Sequence, residues 1–321
     1  MNNYTFLQKK LHTLSLKNNF IKKSLFEIEK ILFFNKNNMN DNDHIFITGL
    51  PRSGTTILLN FFNKSNKYAS LTYKDMPFVM SPNILSKLTK NDKIEPKERI
   101  HKDGIKYDQD SPDAFDEVFF LTFNEDSYIE NYSKYIFLIL KKYNKENYLS
   151  KNNNNYKRID LLKSMFPNSN VLIPFRNPLQ HANSLLSQHI HFSKQQQKDS
   201  FILDYMNYLG HFEFGLNHKS WFKSDNFNDS NSLNYWMEQW YFFYSNLLEK
   251  YNSKKGIFFV SHENLCLNND SKNILINKFH LKSDINFEFT YSKKEIKNKF
   301  DLTLISKCKK IYDTMNDLSL V

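Results

Sequence analysis

The sequence predicts an α/β fold in which helices flank a parallel sheet, and three observations favour this class. Short apolar runs have the length of buried strands, and they lie at 45–48, 69–73, 148–150, 171–175 and 257–260. Segments with apolar residues at helical spacing separate these runs, as expected of parallel strands joined by right-handed crossovers. The first run leads directly into a glycine-containing loop and another apolar helix, which makes a strand–loop–helix unit.

The loop Gly49–Thr56 carries the clearest chemistry. Such a loop directs successive backbone N–H groups and the positive end of a helix at one point, which makes it an anion site. The spacing of Gly49, Gly54 and Thr56 is that of a nucleotide P-loop, but Thr55 stands where an NTPase needs lysine. We therefore predict a P-loop NTPase-like sheet whose loop holds a phosphate-like group without gripping a transferable γ-phosphate.

Length and cysteine content limit the class of protein. A chain of 321 residues can bury the core of a large domain with helical insertions, and we divide it into an N-terminal helical extension and linker (1–43) and a single domain (44–321). Cys266 and Cys308 are too few for a disulfide framework, which favours a reducing, cytoplasmic location. No window reaches the roughly eighteen apolar residues of a membrane span, so we expect no transmembrane segment.

The formal net charge of +10 comes almost entirely from lysine, without the Lys/Arg block that marks a nucleic-acid tail. We therefore expect anionic ligands and no nucleic-acid partner. Arginine is scarce, with only Arg52, Arg99, Arg158 and Arg176 present, so each one indicates a position where its planar fork is required.

Residues 5–34 have apolar residues at helical spacing with lysines between them, which predicts an amphipathic helix broken near 17–19. We expect its apolar side to pack on the domain, and a helix on a membrane surface is the alternative. The polar run 35–43 is predicted to be a linker.

Asp75 follows the strand at 69–73, at the carboxyl end where open α/β sheets place their chemistry. The alternative is an aspartate that caps a turn. Residues 81–110 are polar and rich in turn residues, which predicts a helix and a mobile loop over the site.

Residues 111–120 are predicted to begin a helix, with Ser111 as its N-cap, a proline at the first helical position and acids in the first turn. Helix-dipole stabilisation then explains Asp113 without any function. Asp116 and Glu117 are interpreted as surface acids, and a catalytic role for Glu117 is the alternative.

Lys151 immediately follows the strand at 148–150, where a cation can reach a ligand in the first loop. A second strand–turn–helix unit follows, in which Arg176 ends the strand and Ser184 lies about two helical turns into the helix. These two side chains can hydrogen-bond one phosphate. Two anion sites at strand ends predict a ligand with two separate phosphate-like groups, which is what 3'-phosphoadenosine 5'-phosphosulfate (PAPS) presents.

A metal site is not expected. His181, His189 and His191 lie together in the second unit, but zinc or iron ligands on a helix favour i, i+4 spacing with an acidic third partner. No such acid is near them in the sequence.

Two later segments can border a site. Residues 210–215 combine two scarce glycines with His211 and Glu213, and they form either a turn that lines the substrate or a structural turn. Residues 283–300 are charged and weakly patterned, which predicts a loop over the site. The aromatic stripe that includes Trp236 is predicted to be core.

The motifs resemble those of the sulfotransferase family from about residue 44 to 280. Its 5'-phosphosulfate loop, in the arginine form shared by tyrosylprotein sulfotransferases and many bacterial members, is similar to Pro51, Arg52, Ser53, Gly54, Thr55 and Thr56. Arg176 with Ser184 resembles its 3'-phosphate site, and residues 260–265 are similar to its late strand.

The resemblance implies in-line transfer of a sulfuryl group from PAPS to a hydroxyl or amine acceptor, such as a saccharide or small molecule, without a metal. Arg52, the loop amides, Thr55 and Thr56 would hold the 5'-phosphate and stabilise the leaving group. Lys151 would neutralise the charge of the migrating group.

A general base must take the acceptor's proton. The resemblance implies Asp75 for this role, although Asp is one methylene shorter than the glutamate of related enzymes. Glu117 is the reserve candidate, followed by His101.

Two alternatives stay open on the sequence. A small-molecule kinase or other P-loop nucleotide-binding protein is disfavoured by Thr55 and by the lack of an apolar strand ending in a Mg-binding aspartate. A non-catalytic binder of nucleotides or glycans with the same fold is the other.

Overall fold

The computed structural model describes residues 5–35, 42–85, 96–100, 104–224 and 226–321. Its strands are β1 (Ile45–Ile47), β2 (Tyr68–Ala69), β3 (Lys97–Glu98), β4 (Lys106–Tyr107), β5 (Asn147–Lys151), β6 (Asn170–Phe175) and β7 (Ile257–Ser261). A parallel sheet has the order β2-β5-β1-β6-β7, and β3 pairs with β4 in a separate antiparallel ribbon. The predicted α/β fold with a P-loop-like parallel sheet is confirmed.

Strand β1 lies at the centre of the sheet, between β5 and β6. Its last residue, Ile47, is in register with Lys151 of β5 on one side and with Leu172 of β6 on the other. Since parallel strands present their carboxyl ends at the same edge, the loop after β1 lies between the ends of both neighbours.

Helices cover both faces of this sheet. They are α1 (Phe6–Lys17), α2 (Asn19–Phe33), α3 (Thr55–Lys64), α4 (Pro82–Leu85), α5 (Glu117–Thr122), α6 (Tyr128–Tyr143), α7 (Ile159–Met165), α8 (Pro178–Lys198), α9 (Ser200–Tyr208), α10 (Leu233–Tyr251), α11 (His262–Leu267), α12 (Ser271–Lys278) and α13 (Leu302–Asp317). Alternate side chains of β1 enter different hydrophobic cores, Phe46 one of them and Ile45 with Ile47 the other, as the two-residue period of a strand requires. The aromatic stripe of α10 is core, as predicted, because Trp236 and Trp240 are completely buried.

The N-terminal segment folds as two helices, and Asn18 between them caps α2 by accepting hydrogen bonds from the N–H groups of residues 20 and 21. The predicted break is therefore confirmed. The prediction that the apolar side of these helices packs on the domain is wrong. Phe6 and Ile31 are 73% and 80% exposed, whereas Lys22 and Glu29 are buried. Glu29 accepts hydrogen bonds from the amides of α4, so the inward face of α2 is mixed and also contains the buried Phe26. No helix in the described ranges is long and apolar enough to cross a membrane.

The predicted helix start at Ser111 is wrong. Residue 112 pairs with Thr72 in an isolated antiparallel bridge, and the Ser111 hydroxyl donates to Asp108 within a turn. The helix begins at Glu117 instead. Pairing with a segment some forty residues earlier overrides a local capping pattern, so Asp113 is not a helix-dipole residue.

Strand β2 is shorter than predicted, because it ends at Ala69 and a 3₁₀ turn occupies Tyr73–Asp75. The region 81–110, predicted to hold a helix and a loop, contributes α4 and the ribbon of β3 and β4. Residues 86–95 and 101–103, which include His101, lie outside the described residues.

Candidate active site

The loop between β1 and α3 has the backbone of an anion site. Gly54 caps α3 in a left-handed conformation with φ 106°, and a Cβ there would lie 3.0 Å from Nδ1 of His262. Thr55 begins the helix, so the first-turn N–H groups have no partner within the helix and point into the loop. Arg52 also has a positive φ, 72°.

Arg52 joins the two anion sites that the sequence predicted separately. Its Nε donates to the Ser184 hydroxyl oxygen at 3.3 Å, across 132 positions of the chain. Ser184 lies on α8, which follows β6, so the loop after β1 and the unit after β6 converge at one point. The sequence analysis paired Ser184 with Arg176, and the contact of Ser184 with Arg52 was not predicted.

Two neutral histidines border this point. Nε2 of His181 donates to the carbonyl oxygen of Pro51 at 2.8 Å, and burial lowers the pKa of His181 to about 3. Burial, together with the positive charges of Arg176 and Arg52, lowers the pKa of His262 to about 4. Both imidazoles are uncharged at neutral pH, so the arginines supply the positive potential for an anion.

Arg176 immediately follows β6 and lies under the loop at 283–300. Its guanidinium donates to the carbonyl oxygen of Ser292, and its Nε lies 3.9 Å from Glu263. Gln180 of α8 binds the main chain of Lys294 through both ends of its amide, at 3.0 Å each. The predicted loop at 283–300 does lie over this site.

Lys151 stands on the other side of β1, at the end of β5. Its Nζ lies 3.7 Å from Oδ1 of Asp113, and Arg99 lies 3.5 Å from Oδ2 of the same carboxylate. The Tyr73 hydroxyl donates to Asp113 at 2.7 Å. Although burial would raise the pKa of Asp113, Lys151 and Arg99 hold it well below its usual range. Asp113 is thus a charged partner of the predicted catalytic lysine.

Comparison with known proteins agrees with this geometry. The model of the sulfotransferase family matches residues 44–272, which is more than half of the chain. The chain belongs to the sulfotransferase family. The matched region contains the loop, Lys151, Arg176 and Ser184.

Two solved structures are similar to this sulfotransferase. The crystal structure of sulfotransferase STF1 from Mycobacterium tuberculosis H37Rv has a TM-score of 0.50 and 13% identity, and the match covers 98% of this chain and 87% of that one. Sulfotransferase STF9 from Mycobacterium avium has a TM-score of 0.47 and 11% identity, over 100% of this chain and 84% of that one. At these identities the first comparison shows the fold alone. No curated protein matches the sequence.

The carboxylate of Asp75 in this sulfotransferase is buried, and both of its oxygens are bound by neighbouring residues. Its Oδ1 pairs with Lys142 of α6, and its Oδ2 accepts hydrogen bonds from Tyr143 at 2.6 Å and from the Thr72 N–H at 2.7 Å. The carboxylate side chain is 0% exposed. The catalytic role predicted for Asp75 stays a prediction, and it would require these partners to be exchanged for the acceptor.

The Asp75 network predicts a stability effect. We expect Asp75→Asn to lower the free energy of unfolding by about 3 kcal/mol, because Lys142 is left as a largely buried charge without its partner. Urea unfolding followed by circular dichroism measures this change. Asp110→Asn is the matched control, since its pair with Lys74 is 75% exposed on the acid side and should contribute at most about 1 kcal/mol. Equal midpoints for the two variants would contradict the expectation.

Glu117 and Asp116 are buried, so their interpretation as surface acids is wrong. Glu117 accepts hydrogen bonds from Arg158 at 2.6 Å and from Asn152 at 2.7 Å. Asp116 accepts from Ser150 and from the Tyr132 hydroxyl, and burial raises its pKa. Glu117 as reserve base stays a prediction.

Sequence reasoning missed the roles of Asp113 and Arg99. The scarcity of arginine had marked Arg99 as a special position, but nothing local linked it to the carboxylate of Asp113. Among the described residues, no group of three or more His, Cys, Asp or Glu side chains is placed to hold a metal ion.

Proposed function

We propose that this sulfotransferase transfers a sulfuryl group from PAPS to a hydroxyl or amine acceptor. The contact between Arg52 and Ser184 carries the proposal, because it joins a phosphate-binding loop to a second anion site. A ligand that occupies both sites needs two separate anionic groups. PAPS, with its 3'-phosphate and its 5'-phosphosulfate, has that shape.

The proposed mechanism assigns one role to each part of the site. The backbone amides of residues 51–56 and the Arg52 guanidinium hold the 5'-phosphate and stabilise the charge that develops on it as it leaves. Arg176 and Ser184 bind the 3'-phosphate. The loop at 283–300, which contains Ser292, covers the nucleotide. Lys151 neutralises the migrating group, and fixed positioning supplies much of the rate.

The acceptor must also lose a proton. The carboxylates predicted for this step, Asp75 and Glu117, would each have to part from the partners described above. The acceptor can be identified by a screen. Labelled sulfate is followed from PAPS into a panel of compounds that ranges from saccharides to small alcohols.

Donor binding can be tested without the acceptor. We expect calorimetry to show binding of adenosine 3',5'-bisphosphate, weakened about 10- to 150-fold by Arg176→Ala, since a charge-assisted hydrogen bond contributes roughly 1.5–3 kcal/mol. Adenosine 5'-monophosphate lacks the 3'-phosphate, so its weaker binding should be unaffected by the same change.

Lys250→Ala is the control variant, because that lysine is 60% exposed and pairs only on the surface. No binding of the bisphosphate, or binding indifferent to Arg176→Ala, would rule out the two-phosphate site. Tighter binding of ATP than of the bisphosphate would favour a kinase, and binding without any transfer would favour a non-catalytic binder.

A further inference from the structure

The order of the strands in the parallel sheet predicts how the bound donor is oriented along the edge of the sheet. This inference rests on the proposed function. Arg176 immediately follows β6, the phosphate loop follows β1, and Lys151 ends β5, so the three lie side by side along one edge of the sheet. A donor with its 3'-phosphate at Arg176 and its 5'-phosphate in the loop therefore directs its sulfuryl group toward β5.

A His–Glu pair lies at this end of the sheet. Nδ1 of His211 lies 3.2 Å from Oε1 of Glu213, and the same oxygen accepts a hydrogen bond from Nδ2 of Asn153 at 3.4 Å. Asn153 lies two residues after the end of β5, and its carbonyl oxygen accepts from the Thr48 hydroxyl at 3.2 Å. Thr48 precedes the phosphate loop, so two hydrogen bonds tie the pair to the loop's first strand.

The His211–Glu213 pair has the arrangement of a general base, in which one ring nitrogen is held by a carboxylate and the other is able to accept a proton. Among the described residues, Nε2 of His211 has no hydrogen-bond partner, and the side chain is 26% exposed. A carboxylate on Nδ1 fixes the tautomer that leaves Nε2 able to accept a proton. Oδ1 of Asn153 is also buried without a hydrogen-bond partner within the described ranges, so a second unused acceptor lies beside the pair.

Three charged groups, Glu213, Lys151 and Asp113, act on the pKa of the His211 ring. Burial lowers the pKa of His211, but Glu213 raises it by a larger amount, Lys151 lowers it and Asp113 raises it, so the net pKa lies above the usual value. Glu213 itself stays ionised, because His211 outweighs the effect of burial and lowers its pKa to about 2. Glu213 therefore makes the His211 ring more basic than an ordinary imidazole, which favours its action as a general base.

We propose that His211 is the general base of this sulfotransferase, held by Glu213, and that the acceptor is an uncharged hydroxyl compound. The acceptor oxygen attacks sulfur as the bond from sulfur to the 5'-phosphate oxygen breaks. The hydroxyl proton passes to Nε2 of His211, and adenosine 3',5'-bisphosphate leaves with the electron pair. The positive charges of Lys151 and Arg99 are matched by Asp113 and Glu213, so the pocket has no unmatched charge to select a charged acceptor.

Transfer kinetics test the base. We measure labelled sulfate moving from PAPS to methyl β-D-glucopyranoside, N-acetylglucosamine and tyrosine. We expect the neutral sugars to be better acceptors, and kcat/KM to rise with pH through the His211 pKa as the ring loses its proton. His211→Gln should remove this rise and lower kcat about 10²- to 10⁴-fold. Glu213→Gln should move the rise to lower pH, and both variants should bind adenosine 3',5'-bisphosphate as the parent does.

Two surface variants serve as controls, His280→Asn for the histidine and Glu295→Gln for the carboxylate, since both residues are exposed. Their rates and pH profiles should match the parent. A His211→Gln enzyme that keeps its rate, or a Glu213→Gln profile that does not move, overturns the proposal.

Imidazole NMR gives a test that needs neither acceptor nor catalysis. We expect the His211 pKa to rise when PAPS binds the parent protein, because the bound sulfuryl group adds negative charge near Nε2. Unchanged titration with PAPS bound would place His211 away from the reacting end and overturn the proposal. Failure of the parent to bind the bisphosphate at all would instead refute the proposed function.

Discussion

Replacing Arg52 by alanine is expected to lower kcat/KM for sulfuryl transfer by about 10²- to 10³-fold, as removal of one charge-stabilising donor typically does. Arg52 is the side chain that links the phosphate loop to Ser184, and in the proposed mechanism it stabilises the negative charge that develops on the leaving group. Its loss removes both a ligand contact and the contact between two sites. The measurement is initial-rate transfer from labelled PAPS to the acceptor found by the screen.

Arg52→Lys separates charge from geometry. Lysine keeps the positive charge but lacks the planar fork, so we expect it to recover only part of the lost rate. Lys64→Ala, at the exposed far end of α3, is the control for general effects on the helix. If Arg52→Ala retained the parent rate, the loop would not hold the reacting end of the donor.

Lys151→Met should lower kcat about 10²-fold while changing the affinity for adenosine 3',5'-bisphosphate little. The bisphosphate lacks the sulfuryl group that Lys151 is proposed to neutralise, so binding and turnover should separate. Methionine preserves most of the buried stem, and Arg99 remains as a partner for Asp113. Calorimetry and initial rates on the same preparations show whether the two quantities separate.

Lys157→Met provides the matched comparison, because this lysine lies six residues further on and is exposed. It should behave as the parent in both measurements. Equal losses of binding and turnover in Lys151→Met would show a donor-binding residue instead of one that acts on the migrating group.

The sheet could be predicted because buried parallel strands are short continuous apolar runs, and every strand of the parallel sheet produced one. The predictions were wrong for elements that depend on contacts with residues distant in the sequence. The capping pattern at Ser111 is locally sound, yet the bridge between residue 112 and Thr72 takes that backbone out of a helix. Likewise, several apolar residues of α2 face outward because Glu29 of that helix binds α4, which no spacing rule reveals.

The site divides in the same way. Arg52, Arg176 and Ser184 were predictable because each lies in a strand–turn–helix unit with a fixed spacing. The partners of Lys151 were not, because Asp113 comes from a segment read as a helix start. His211 and Glu213 were noticed only as an unusual turn, and the hydrogen bond to Asn153 spans 60 positions of the chain.

The positive φ of Arg52 has an evolutionary consequence. A non-glycine residue in this region is strained by roughly 1–3 kcal/mol, which glycine would relieve. Selection for thermal stability alone would therefore favour glycine at position 52 and discard the guanidinium. An arginine retained there indicates that stability and activity are in conflict at this position, so a library screened only for heat resistance should lose transferase activity here early.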